Sequence, residues 1–294
     1  MIQEITLTGG THGNEYLGPT IIQRLDSLGT YQNSNISVST LLANPRATKA
    51  GVRFIDEDLN RCFSDDVLSA SGCTCYEHLR AREINRQLGP RPNRHRFLID
   101  LHSTTANMGM TLILRDRSPF NLQAAAYAQQ KHPGIKLILS DLDQKYSRTL
   151  NSICEFGLTI EVGPIANAVI RHDLLLETEE VIASLVEFIN LSHHQHPINL
   201  PDTLTAYRVC ERVLYPRSAS GDLTAMVHKQ LQDRDFIWLD TGDPAFFTLQ
   251  GKTLPHTGRS GYPIFINEAA YYRENTAFII TEQLLLDVDH LKQR

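Results

Sequence analysis

Runs that read as strands alternate with runs that read as helices over the first two thirds of the chain, and this order limits the available folds more than any other feature. "ITLTGG", "NISVSTLLAN" and "RFLIDLHS" are strand-like, and "EYLGPTIIQRL" and "CYEHLRAREINRQLG" fall between them with helical spacing. "MTLILR", "IKLILS" and "GLTIEVG" add further strands, with the helical "FNLQAAAYAQQKH" among them. Short apolar runs bounded by turn residues suit strands, whereas apolar residues three and four apart suit helices. The predicted fold class is therefore α/β, a sheet covered by helices. In "HDLLLETEEVIASLVEFINLS" the residues Leu174, Leu175, Val181, Ile182, Leu185, Val186 and Ile189 form one stripe. Its glutamates fall mostly off that stripe, so one side of the helix packs.

From about residue 200 the texture changes to short β-rich runs, "TLTAYRVCERVLYP", "DFIWLD", "AFFTLQ", "YPIFINEAA" and "TAFIIT", separated by Gly, Pro and Asp. With the polar "HHQHPINLPD" read as a linker, the chain divides into a catalytic domain over residues 1–195 and a smaller C-terminal β-rich capping domain over 196–294. Composition closes off several other classes. At 41% hydrophobic and 21% charged residues the chain is neither disordered nor fibrous, and no apolar run reaches the roughly 18 residues of a membrane helix. A net charge of −5 argues against a nucleic-acid partner. Five cysteines without a CxxC pair make no disulfide framework, so a reducing compartment is expected. The lone "CTC" at 73 to 75 reads as incidental. No signal-peptide pattern opens the chain, and the cytoplasm is the expected location.

In an open α/β sheet, ligands gather beyond the carboxyl ends of the strands. That rule brings His12, in "GGTHGNE" after the first strand, toward His102 at the end of "FLIDLHS". Glu15, three residues after His12, places a carboxylate beside its imidazole. Two imidazoles and a carboxylate with a fourth position open make a catalytic rather than a structural zinc set, and Asp100 and Ser103 are candidate supporting partners. A competing reading makes His12 a turn residue and Glu15 a helix-N-terminal acid. The glycines at 9, 10 and 13 do not fit a dinucleotide fingerprint.

"NPRATKAGVRFIDEDLNRCF" follows the second strand and carries Arg53, Asn60 and Arg61 toward the same end of the sheet. A surface loop with scattered charges is the bland alternative. The adjacent amide and guanidinium of Asn60 and Arg61 suit a carboxylate clamp, and Arg53, aimed at a metal, would stabilise an oxyanion. Glu161 lies in the otherwise apolar strand "LTIEVGP", where a carboxylate is costly unless it has a partner or a job. Beside a zinc ion it becomes a general base.

Taken together in order, "GGTHGNE", "NPRA", "RFIDEDLNR", "DLHSTTANMGMTLIL", "IEVGP" and "PIFINEAAYY" resemble the aspartoacylase family, the deacylase branch of the zinc carboxypeptidase-like fold. The resemblance spans about residues 5 to 280. It implies a mixed sheet covered by helices and one zinc ion per subunit held by His12, Glu15 and His102. Arg53 would polarise the acyl carbonyl, Asn60 and Arg61 would hold a substrate carboxylate, and Glu161 would act as general base and acid. Tyr271 would reach over the site from the C-terminal domain, and Glu268 would serve as a hydrogen-bonding support. A homo-oligomer, dimer or higher, is implied as well.

One departure concerns the substrate side chain. Members specific for N-acetylaspartate are expected to carry an arginine about ten residues before the general base, where this chain has Asn151. Tyr146 and Arg148 lie slightly upstream, so either Arg148 serves or the side-chain pocket differs, and Arg273 is another candidate cation. The implied reaction is hydrolysis of a small-molecule N-acyl-L-amino acid, N-acetyl-L-aspartate first, giving a carboxylate and the free amino acid. The same chemistry on N-acyl aromatic amino acids, succinylglutamate or a peptide C-terminus is the nearest rival. A non-catalytic metal-binding module is a more distant one, and a nucleotide-binding protein would need a phosphate loop that is lacking.

Overall fold

The computed structural model describes residues 2–32, 34–70, 72, 75–90, 95–140 and 148–288. Its first part runs β1 (Ile2–Gly9), α1 (Leu17–Leu28), β2 (Ser37–Leu42), α2 (Pro45–Ala50), α3 (Asp65–Ser69), α4 (Tyr76–Leu88) and β3 (His95–Ser103). It continues with β4 (Gly109–Leu114), α5 (Pro119–Lys131), β5 (Lys136–Leu139), β6 (Phe156–Gly163) and α6 (His172–His193). The last third holds β7 (Thr203–Leu214), β8 (Ala225–Val227), β9 (Pro244–Thr248), β10 (Thr253–Pro255), β11 (Tyr262–Ile264) and β12 (Thr276–Asp287). A nine-stranded mixed sheet has the order β11-β12-β7-β5-β4-β6-β3-β1-β2, and β8, β9 and β10 form a separate three-stranded sheet. The α/β class read from the sequence is the class observed. No helix among the described residues is long and apolar enough to cross a membrane.

Strand alternation assigns the two faces of the sheet. Phe97, Ile99 and Leu101 of β3 join Leu112, Leu158 and Ile160 in the main core, which receives the apolar stripe of α6 through Val181, Ile182, Leu185 and Ile189. The other β3 positions, Leu98, Asp100 and His102, face the opposite way, and Leu98 packs there with Leu59, Ala81 and Ile84 beneath α4. Because side chains on a strand repeat every two residues, burying the odd-numbered positions on one face delivers Asp100 and His102 to the other. β6 lies parallel to β3 with Glu161 opposite His102, so the same alternation brings Glu161 to that face.

The division expected at residue 195 falls in the connector between α6 and β7. The main sheet nevertheless continues through that point in the sequence, since β7 pairs with β5 and β12 with β7. One run read as β-rich, "DFIWLD", forms no strand: Phe236 has φ 60° and Leu239 makes a single bridge to Gly261. A bulky residue in the left-handed region interrupts extended backbone. The predicted helix from Glu15 begins instead at Leu17.

Two glycines set the turn after β1. Gly10 has φ +70°, a region that favours glycine, and a Cβ on Gly13 would stand 2.1 Å from the carbonyl carbon of Ala47 in α2. Gly13 N–H also donates to the Arg53 carbonyl at 3.0 Å. A Gly13→Ala substitution should therefore push the turn from α2 and cost about 1–3 kcal/mol of folding stability, the usual penalty of overpacking. Chemical denaturation measures this, and a change within experimental error would contradict the close approach.

Candidate active site

His12, Glu15 and His102 meet beyond the ends of β1 and β3, all buried, and offer ligand atoms within 4.8 Å of one another. The His12 Nδ1 atom lies 2.6 Å from Glu15 Oε1 and 3.2 Å from His102 Nδ1, which is 2.9 Å from Glu15 Oε2. Behind each imidazole stands a carboxylate. The Nε2 atom of His12 is 3.0 Å from Asp58 Oδ1, and that of His102 is 2.8 Å from Asp100 Oδ2. An ionised carboxylate can only accept, so each Nε2 carries a proton and each Nδ1 turns its lone pair toward Glu15. Acceptors this close need a cation or an extra proton between them. This donor set fits zinc, with the Asp–His arrangement that commonly supports a metal-bound imidazole.

The supports extend outward. Thr8 and Thr11 hydroxyls donate to Asp100 Oδ1 at 2.7 and 2.8 Å. Arg53 reaches Glu15 Oε1 at 3.1 Å and Asp58 Oδ2 at 3.1 Å, and the Ser103 N–H donates to Glu15 Oε2 at 3.2 Å. Burial opposes charge on Glu15 and on Asp58, but the neighbouring imidazoles, and Arg53 for Asp58, outweigh it and hold both well below the ordinary carboxylate range. For His102 burial works against the protonated form, yet Asp100 and Glu15 raise it well above 6.5. A proton thus competes with a metal for His102, and affinity must fall with acidification.

Glu161 behaves in the opposite way. Burial is the largest influence, Glu15 and Glu268 add to it, and together they exceed the opposing pull of His102 and Arg53, so its carboxyl is pushed up to about 8. It lines one cleft with His12, Glu15, His102, Arg53, Asn60, Arg61 and Tyr271, a space of about 850 Å³ counting the open mouth. Asn60 Oδ1 accepts from Leu150 N–H at 2.8 Å, while Arg61 stands 3.6 Å from Glu274. Tyr271 packs its ring 5.3 Å from that of Phe265. Glu268, buried, accepts from the N–H groups of Thr105 and Ala106 at 2.8 and 3.1 Å and from the hydroxyls of Thr104 and Thr105.

The cations named for the substrate side chain sit elsewhere. Arg148 is exposed, Arg273 lies over the Phe54 ring at 5.5 Å, and neither lines the cleft. Tyr146 lies outside the described residues, as does Cys73. In their place Arg115, just past β4, lines the cleft with Asn151 and Thr159. Its guanidinium donates to the Ser152 carbonyl at 3.0 Å and to Asp116 at 2.9 Å. Asn151 donates to Thr159 Oγ1 at 2.6 Å, and its own Oδ1 is buried without a partner. Sequence reasoning passed over Arg115 because a charged residue closing an apolar run reads as a solvated strand end. Asp58 was missed too, although its place in "DEDLNR" beside the clamp was a usable signal.

Residues 1–189 match the family model described as "Succinylglutamate desuccinylase/Aspartoacylase catalytic domain", and residues 202–283 match "AstE/AspA barrel-sandwich hybrid domain". A protein of Acaryochloris marina (strain MBIC 11017) named "Probable aspartoacylase" is 38% identical over 284 residues, covering 96% of each chain. A Mus musculus protein named "N-acyl-aromatic-L-amino acid amidohydrolase (carboxylate-forming)" is 38% identical over 296 residues, covering 98% of this chain and 92% of that one. The crystal structure of murine aminoacylase 3 superposes with a TM-score of 0.91 at 37% identity, covering 98% of this chain and 97% of the other.

The Glu161 environment generates a pH dependence. With a folded pKa of about 8 against an ordinary 4.5, the carboxyl holds its proton more tightly folded than unfolded. Its contribution therefore declines as pH rises from about 4.5 to about 8 and is level above that. In the metal-free protein, Glu161→Gln removes this loss. Its Tm advantage over the parent should be small at about pH 5 and largest near pH 8, by differential scanning fluorimetry. An advantage that shrinks toward alkaline pH would be the wrong sign.

Proposed function

Since the chain belongs to the succinylglutamate desuccinylase/aspartoacylase family and is a hydrolase acting on amide bonds, we propose that it deacylates N-acyl-L-amino acids with one zinc ion held by His12, Glu15 and His102. The observation that carries this reading is Glu161. It stands opposite His102 across the β3–β6 pairing, half-buried, with a raised pKa, in the cleft that also holds the three ligand candidates.

Bound zinc would supply Lewis acidity, lowering the pKa of water toward about 7 and polarising a carbonyl. Glu161 takes the proton from the attacking water and returns it to the leaving amine, a role that suits a carboxyl tuned toward neutrality. Arg53 donates to the acyl oxygen as charge develops there, and Asn60 with Arg61 holds the α-carboxylate through a planar, forked set of donors. Tyr271 closes over the same cleft beside Phe265. The products are a carboxylate and a free amino acid, and no acyl-enzyme is required.

For the substrate side chain, N-acetyl-L-aspartate is the first reading, with Arg115 as the counter-charge that the cleft supplies. A second reading has specific support: Ile113, Ile138, Val209, Ile264, Phe265 and Ile279 give the cleft a broad apolar wall, which suits an N-acyl aromatic amino acid. Cys62, Cys75, Cys154 and Cys210 are free, in keeping with action in a reducing cytoplasm, and a homo-oligomer is the expected assembly.

An amine-release assay over N-acetyl amino acids tests the reaction. Glu161→Gln should lower kcat about 10²–10⁴-fold, the usual contribution of general acid–base catalysis, while zinc content stays at the parental level. Retained turnover would defeat the mechanism. Arg115→Met separates the two side-chain readings. It should raise KM for N-acetylaspartate about tenfold or more, a loss of roughly 1.4 kcal/mol, and spare N-acetylphenylalanine. A parent enzyme that prefers the aromatic substrate establishes the second reading.

A further inference from the structure

A second group of metal-ligating side chains lies outside the cleft, behind the loop that carries the substrate clamp. Glu57, Cys62 and His78 bring a carboxylate oxygen, a sulfur and an imidazole nitrogen within 4.8 Å of one another. Glu57 and Cys62 flank the short helical turn Leu59–Arg61, and His78 lies in the first turn of α4. The Nε2 atom of His78 is 2.8 Å from Glu57 Oε2. Cys62 has no exposed surface, and its sulfur approaches the Asp58 carbonyl at 3.2 Å.

Cys75, the N-cap of α4, falls in a neighbouring group with Asp56 and Glu77. Glu77, although nearby, is already committed. Its carboxylate accepts from the N–H groups of Ile55, Asp56 and Glu57 and from Asn44, so it anchors the loop rather than offering itself as a ligand.

The plain alternative makes Cys62 a small core residue and His78–Glu57 a surface pair. It treats the contacts singly and leaves the convergence of a buried sulfur, an imidazole and a carboxylate unexplained. Burial is the largest influence raising the Cys62 thiol, with the neighbouring acidic groups adding to it, so a bound metal would have to displace the thiol proton. A thiolate, an imidazole and a carboxylate select a soft metal over calcium or magnesium.

We propose that Cys62, His78 and Glu57 form a second site for a thiophilic divalent cation of the zinc class, separate from the catalytic centre. The cation would pin the 57–62 turn to the start of α4. Asp58, which supports His12 and Arg53, and the clamp residues Asn60 and Arg61 all lie within the pinned segment, so the site acts as a brace for the cleft.

Cobalt(II) is the probe. The catalytic donors contain no sulfur, so a thiolate-to-cobalt charge-transfer band in the near ultraviolet reports the second site alone. Metal-stripped protein titrated with cobalt should take up two equivalents per chain and develop that band. His78→Asn and Cys62→Ser should each lose one equivalent and the band, while the visible ligand-field bands of the catalytic centre persist. His78 is partly exposed, so His78→Asn carries the test should Cys62→Ser fail to fold. The proposal is overturned by uptake of one equivalent without the band, or by a band unchanged in the variants.

Discussion

Glu15 is a buried carboxylate wedged between two imidazoles and a guanidinium, and the site is organised around keeping it ionised. A charge in such surroundings survives only with compensation close at hand. Asp58 and Asp100 do not supply it directly; they fix the tautomers of His12 and His102 so that both Nδ1 atoms face Glu15. Counting Glu15, Asp58 and Asp100 against Arg53, and taking the imidazoles as neutral, leaves the cluster two negative charges in excess. A divalent cation cancels that excess, and without one the deficit falls on His102, whose pKa is raised accordingly.

Much of this was legible in the sequence because strand periodicity and strand ends are local properties. The strand-end rule brought His102 toward His12 and Glu15, and the cost of a carboxylate in the apolar "LTIEVGP" singled out Glu161; that His102 and Glu161 share a face comes from the β3–β6 pairing. Asn60 and Arg61 followed from the connection after β2. Tyr271 did not follow from any local pattern; only the family resemblance pointed to it, since its approach to the cleft depends on how residues 262–276 fold back. The further cation lining the cleft was the least legible element. Asn151 holds the expected offset and Arg148 and Arg273 were the substitute cations the sequence offered, but Arg115 reaches the cleft because β4 runs antiparallel to β6, with Thr111 opposite Glu161 and Ile113 opposite Thr159. That pairing direction is not written in either strand.

The segment from Arg53 to Cys62 concentrates several demands in few residues. Arg53 bridges Glu15 and Asp58, Asp58 supports His12, and Asn60 ties the turn to Leu150. A stretch with so little secondary structure needs fixing from outside, and Glu77 does so by accepting consecutive backbone N–H groups from the start of α4. Loops that carry binding residues commonly depend on a rigid scaffold in this way. Here the scaffold is a helix terminus, whose own Tyr76 N–H is met in turn by Asp56.

The C-terminal third is part of the active site as much as a cover for it. β7 and β12 continue the central sheet and contribute Val209 and Ile279 to the cleft wall. Glu268 then reaches back to residues 104–106, the turn that leaves β3 immediately after His102 and Ser103. A buried carboxylate in this position has two effects. Its hydrogen bonds hold the turn, and its negative charge helps keep the Glu161 carboxyl protonated toward neutral pH. Removing the C-terminal strands would therefore expose an apolar wall, loosen the turn beside His102 and shift the proton affinity of Glu161. The position of β12 beside β7 thus constrains the cleft as well as the topology.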